Sequence, residues 1–228
     1  MPKILFTHKI KPKHLDELKR AKFEFADIPF IDVQIKDFDT DKVKEVQSDA
    51  WVFTSKKAVK SVGKKLEELE IPEFVFAVGS STSKKLNELG LKALIPKNFT
   101  TESLAQKISA YPIKNVIHFC GNLSDSLLQI LLKPADCSVT KVEVYETVLT
   151  PKAVNTDEFD AVVFLSPSAF DSFCKTNDPK KLKTVFCIGS TTAEAVKRSY
   201  ERLIVTPDNF TFTDLVETIN QKYKNVIS

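Results

Sequence analysis

Glycine is scarce in this chain, with five residues in 228. None falls in a GxGxxG, GxxxxGK[ST] or GxSxG phrase, so the loops that cradle a dinucleotide or a nucleoside triphosphate, and the nucleophile elbow of hydrolases, are missing. The three histidines, His8, His14 and His118, form no HExxH and join no Cys, His and carboxylate cluster with metal-ligand spacing; no metal site is expected. Cys120, Cys137, Cys174 and Cys187 match neither a CxxC pair nor a zinc knuckle, and Cys187 sits inside the apolar run TVFCIG. They read as small buried hydrophobes in a reducing cytoplasm. No apolar run approaches 18 residues, which argues against a membrane span, and the opening MPKILFTHKI reads as a first strand rather than a signal peptide. The 33 basic and 30 acidic residues nearly balance at a formal +3 and are spread along the chain. A nucleic-acid patch is therefore not expected, while a small anionic ligand is compatible.

What is present is a repeat. DAWVFTSKKAVKSV (49–62) and DAVVFLSPSAFDSF (160–173) share seven of fourteen positions at an offset of 111. AVGSST pairs with CIGSTT at an offset of 110, and PKNFT (96–100) with PDNFT (207–211) at 111. A weaker echo links KILFTH and FIDVQI to VIHFCG and KVEVYE, so the chain reads as two copies of one unit, with a cut near residue 113. Each copy alternates short Val, Ile and Phe-rich runs with segments of helical period, the pattern of a parallel sheet covered by helices, α/β in class. Strands are expected near 3–7, 24–34, 50–54, 74–78 and 92–95, and again near 115–119, 137–146, 161–165, 184–188 and 202–205. FIDVQIKDF and TKVEVYETVLT alternate apolar and polar residues, as half-exposed ribbons do.

The repeated phrases all stand where a strand passes into a helix, the ligand edge of an open α/β sheet. Ser and Thr there accept hydrogen bonds from the first backbone N–H groups of the helix, and each taken singly is more often a cap than a ligand contact. Gly79 and Gly189, at positions demanding positive φ or close backbone approach, and Gly121 put three of the five glycines at this one edge. Such helix starts attract anions. On the residues alone, a cofactor-free enzyme, a hinged module that clamps an anion without turnover, and a flavin- or nucleotide-binding flavodoxin-like protein all remain open. The last predicts retained cofactor on purification.

The ordered set VFTSKKAV, FAVGSSTSKKL, PKNFTTESL, VYETV, FLSPSAF, CIGSTTAEAV and PDNFTFTDL resembles the uroporphyrinogen-III synthase family over essentially the whole chain. The resemblance implies two flavodoxin-like parallel-sheet α/β domains joined by a two-stranded β-ribbon, with a cleft between them. It implies a crossover as well: residues 1–33 with 149–228 form one domain and 36–146 the other, with linkers near 34–36 and 146–149. A monomer is the default for such a protein.

The family converts hydroxymethylbilane, a linear tetrapyrrole with eight carboxylates, into uroporphyrinogen III, inverting ring D and losing water without a cofactor. Charge-assisted hydrogen bonds contribute roughly 1.5–3 kcal/mol each, and micromolar binding needs about 8 kcal/mol. A few amide and hydroxyl contacts per domain would thus suffice. Alignment implies Tyr145 as the group that helps the hydroxyl leave. The substrate contacts implied are Ser55, Lys57, Gly79, Ser81, Thr82, Gly121, Asn122, Ser166, Ser168, Gly189, Thr191 and Thr192. Lys57 stands where the family often has arginine. In GNLSDSLL (121–128) the sequence departs from the family: Leu123, Ser124 and Asp125 follow Asn122 where relatives commonly carry arginine.

Overall fold

The computed structural model describes residues 1–224. The chain runs through β1 (Lys3–Phe6), α1 (Pro12–Lys19), β2 (Glu24–Asp27), β3 (Ile31–Ile35), α2 (Thr40–Glu45), β4 (Ala50–Phe53), α3 (Lys56–Val62), β5 (Phe74–Ala77) and α4 (Ser80–Asn87). It continues with α5 (Thr101–Ser109), β6 (Asn115–Gly121), α6 (Leu127–Leu132) and β7 (Ser138–Leu149). Then come β8 (Ala161–Phe164), α7 (Pro167–Phe173), β9 (Val185–Cys187), α8 (Ser190–Lys197), β10 (Ile204–Val205) and α9 (Phe212–Tyr223). Contacts divide it into two compact units, Met1–Asp32 with Val148 onward, and Val33–Thr147.

The first unit holds a parallel sheet in the order β10-β9-β8-β1-β2. Its centre is the pairing of β1 with β8, Ile4 against Ala161 and Phe6 against Val163. The second sheet has the order β3-β7-β6-β4-β5, in which β7, β6, β4 and β5 are mutually parallel. At its edge the Thr150 N–H donates to Phe30 O and the Lys36 N–H to Val144 O. Partner numbers fall as the chain rises, so β3 runs antiparallel to β7.

Each sheet is buried on both faces, which is why its central strands are apolar without alternation: AWVF and AVVF are buried at all four positions. The period of two still sorts the side chains. Trp51 and Phe53 enter one core cluster, Ala50 and Val52 the other. In the first unit, Val162 and Phe164 likewise face one cluster while Ala161 and Val163 face its opposite. Helices cover these faces with apolar stripes, as in α9, which buries Leu215, Val216 and Ile219.

Two expectations need correction. The single strand anticipated over 24–34 is broken between β2 and β3, because Pro29 has no N–H to offer a ladder while the Ile28 and Phe30 N–H groups turn back to Phe6 O and Thr7 O. The strand anticipated at 92–95 shrinks to one bridge, Leu94 against Phe76. The sequence repeat is also not the physical division: a cut near 113 would part β1 from β8, whose ladder closes the first sheet.

Candidate functional site

At the carboxyl ends of the central strands the two units repeat one construction. Ser55 follows β4 and caps α3, its Oγ accepting from the Ala58 N–H at 3.1 Å. Ser166 follows β8 and caps α7, accepting from the Ala169 N–H at 3.3 Å. Thr100 and Thr211 cap α5 and α9 in the same manner. These hydroxyls satisfy backbone donors that the helix itself leaves open.

α4 and α8 differ, since Gly79 and Gly189 occupy the cap positions and no side chain closes either helix start. Ser81 and Thr191 lie exposed in the first turn. Thr82 and Thr192, one residue on, are only 3% and 4% exposed. The glycine backbones are extended, with φ of −170° and −172°. Space rather than positive φ disfavours a side chain here: a Cβ on Gly79 would stand 2.9 Å from Phe99 Cγ, too close without a shift, and one on Gly189 would stand 3.2 Å from Phe210 Cγ, a tight contact that asks the ring to give slightly. Sequence reasoning missed both phenylalanines, although they sit in the repeated phrases PKNFT and PDNFT.

A third cluster lies where β6 and β7 end. Their register shifts after Cys120, which faces Glu143, so that Gly121 faces Tyr145 and Val144 is skipped. The slip brings the Tyr145 ring over Gly121, where a Cβ would come within 2.4 Å of Cε2. The Lys57 ammonium, carried by the first turn of α3, lies 5.8 Å from the centre of the same ring. Asn122 is tied to β7: its Oδ1 accepts from the Thr147 N–H at 2.9 Å, its Nδ2 donates to Thr147 O, and its own N–H donates to Tyr145 O. The Lys141 ammonium donates to Ser124 O at 2.6 Å and to Asp125 O at 3.2 Å, so the loop that lacks arginine is held by a cation from β7. Only the register places that lysine there; no local signal announces it.

In the first unit, His8 follows β1 just as Ser166 follows β8, and the pairing of these strands makes them neighbours. His8 Nε2 lies 3.2 Å from Ser166 Oγ, which lies 3.1 Å from Ser168 Oγ. Local sequence offered little reason to connect His8 with these serines. His118 is structural: it is 4% exposed, its Nε2 is 3.0 Å from Thr54 Oγ1, and burial, helped by the Lys141 charge, lowers its pKa to about 4. Burial pushes the cysteines the other way, Cys187 up to about 12 and Cys174 to about 11, with Cys120 and Cys137 also raised. Among the described residues no three His, Cys, Asp or Glu side chains converge as a metal site, and no helix is long and apolar enough to cross a membrane.

The family model described as uroporphyrinogen-III synthase HemD matches residues 14–217. No match is found among curated proteins. Among solved structures, the chain is similar to a uroporphyrinogen-III synthetase from Helicobacter pylori at 19% identity and a TM-score of 0.67, covering 97% of this chain and 100% of that one. It is similar also to a mutant uroporphyrinogen III synthase from Thermus thermophilus, at 15% identity and a TM-score of 0.64 over 100% and 99% of the two chains. A wild-type crystal form of the Thermus thermophilus protein gives 15% identity and a TM-score of 0.55 over all of both chains. At these identities the structures speak for the fold, and the family rests on the model that spans most of the sequence. The chain belongs to the uroporphyrinogen-III synthase family, lyases of tetrapyrrole biosynthesis.

Proposed function

We propose that the protein cyclises hydroxymethylbilane to uroporphyrinogen III, releasing water and inverting ring D, at the carboxyl edges of two flavodoxin-like sheets. The observation that carries this reading is the family match over residues 14–217. Strand order supports the flavodoxin-like description. In the first sheet it is β2-β1-β8-β9-β10, which read in chain order is 2-1-3-4-5. The second gives the same order when counted from β6, with the Leu94 bridge as its last member and β3 added beyond β7. The proposed domains are 1–33 with 149–228, and 36–146. The strands β3 and β7 form the connecting ribbon, the substrate lies in a cleft, and the protein works as a cytoplasmic monomer.

The reaction needs three things from the chain. Eight carboxylates need donors, which the amides opening α4 and α8 after Gly79 and Gly189 supply with the helix dipole behind them. Ser81, Thr191, Ser168 and the Lys57 ammonium add side-chain donors. Ser55 and Ser166 hold their helices as caps; the buried Thr82 and Thr192, and Asn122 tied to Thr147, shape the backbone behind the donors. The departing hydroxyl needs a proton donor, a role the Tyr145 phenol would fill; that its ring lies over Gly121 supports the reading. The C–O bond breaks with its electron pair going to oxygen, which takes the phenol proton and leaves as water. The substituted carbon of ring D attacks the resulting azafulvenium to give a spiro intermediate, whose bond to the ring C methylene then breaks. That methylene cation closes on the free α-carbon of ring D, which loses its proton to the phenolate. The remaining task is positional: holding the chain ends so that the substituted carbon of ring D, not the unsubstituted α-carbon on the other side of the ring nitrogen, is the first to meet the cation.

Incubation with freshly made hydroxymethylbilane, followed by chromatographic separation of the oxidised isomers, tests the reading. The type III isomer is expected in excess over the type I isomer of spontaneous closure. Type I alone would leave only an anion-binding protein.

A further inference from the structure

The chain carries 17 phenylalanines, and among the described residues only two are exposed, Phe99 at 56% and Phe210 at 60%. They are equivalent positions of the repeat, each following asparagine in PKNFT or PDNFT. Each ring lies against the glycine that opens an uncapped helix, Phe99 on Gly79 before α4 and Phe210 on Gly189 before α8. Because both glycines have extended backbone that any residue can adopt, what the missing side chain admits is the ring. One exposed phenylalanine is unremarkable on a protein surface. Two at the same place in both units, each with a glycine to seat it, differ from the other fifteen, which serve the cores or lie at least half-covered. The next residues, Thr100 and Thr211, cap α5 and α9 and thereby fix the backbone that presents each ring.

An exposed phenyl face beside open helix amides matches a ligand that carries a carboxylate on a short arm from a flat, electron-rich ring: the carboxylate meets the amides and the ring lies on the phenyl. We propose that Phe99 and Phe210 are stacking platforms, each seating one carboxylate-bearing pyrrole ring of the substrate; this rests on the tetrapyrrole reading above. Their contribution is to the plane in which a ring is held, so they are positioning residues, outside the bond-breaking step.

The test is steady-state kinetics on hydroxymethylbilane for Phe99→Leu, Phe210→Leu and the double variant, beside Phe99→Tyr and Phe210→Tyr, with thermal melting of each. Each leucine variant is expected to raise KM about two- to tenfold, the scale of one aromatic pair, and the double variant to raise it multiplicatively. The type I share of the product should grow as well. The tyrosine variants should keep KM within twofold of the parent, and all should melt within a few degrees of it. Unchanged KM in the leucine variants, or an equal rise with tyrosine, overturns the platforms while leaving the activity standing. So does a KM rise that merely follows a large loss in melting temperature. A parent protein that yields only type I product overturns the tetrapyrrole reading and the platforms with it.

Discussion

Gly121→Ala puts one methyl group where the Tyr145 ring now lies. The added Cβ would stand 2.4 Å from Cε2 and 2.5 Å from Cζ, whereas carbon atoms pack at about 3.5–4.0 Å. The ring must therefore withdraw by about 1.2 Å. It cannot sink inward, because Tyr145 packs against the core cluster that holds Trp51, Phe53 and Phe119, and such interiors are filled. The side chain must swing, moving its hydroxyl from the position the proposed proton transfer requires. Overpacking of this kind costs about 1–3 kcal/mol of stability, and misplacing a catalytic group by about 1 Å can cost about a hundredfold in rate. We expect kcat for type III formation to fall about a hundredfold, with urea unfolding shifted modestly. Tyr145→Phe, which removes the proton donor alone, should also lose about a hundredfold. The decisive assay is the double variant, which should be no slower than the worse single one, since both changes remove the same phenol. Turnover of Gly121→Ala within twofold of the parent, or losses that multiply in the double variant, would refute the placement of Tyr145 over Gly121 as the source of its activity.

The paired hydroxyl residues at the uncapped helices should separate by burial. Thr82→Ala and Thr192→Ala should lower stability by about 1–2 kcal/mol with little change in KM, while the exposed Ser81→Ala and Thr191→Ala should leave stability within about 0.5 kcal/mol and raise KM. The reverse pattern in urea titration and kinetics would show that the buried hydroxyls meet the substrate. His118 should impose a pH dependence on folding. An unfolded imidazole takes up its proton near pH 6.5 but the buried one only near 4, so stability present above pH 6.5 is lost as pH falls toward 4, by up to about 3 kcal/mol. Unfolding at pH 7 and pH 5 should show that loss, and His118→Gln should reduce it; an unchanged slope would mean that the histidine is charged where it lies. At pH 8 Cys174 and Cys187 of the native protein should react with iodoacetamide at least about a hundredfold more slowly than in the unfolded chain, since desolvation holds Cys174 near 11 and Cys187 near 12. Rapid alkylation would contradict the burial of Cys187 and the raised pKa of the half-buried Cys174.

Much of the candidate site was legible because it is local. A strand, a glycine or serine and a helix start form one continuous phrase, so Ser55, Gly79, Ser166 and Gly189 could be placed at strand ends from periodicity alone, and the repeat marked the phrases as a set. The role of the glycines was legible only as a pair of alternatives, positive φ or crowding. The structure decides for crowding, since both have φ near 180° and both lie under a phenyl ring from twenty or twenty-one residues further along. Asn122 shows the opposite limit. Its position at the edge was readable, but its partner Thr147 belongs to the neighbouring strand, and nothing in GNLSDSLL points there.

The amino-acid sequence by itself determined the α/β class, the duplicated unit and the strand ends at which its repeated phrases gather, because hydrophobic period and helix-start residues report on neighbours a few positions away. Only the tertiary structure decided that β1 completes its sheet beside β8, that a one-residue slip sets Tyr145 on Gly121, and that His8 meets Ser166. Those are pairings between segments far apart in the chain. They are chosen by which apolar faces bury one another and in what register, and one residue of register is enough to change which side chains meet.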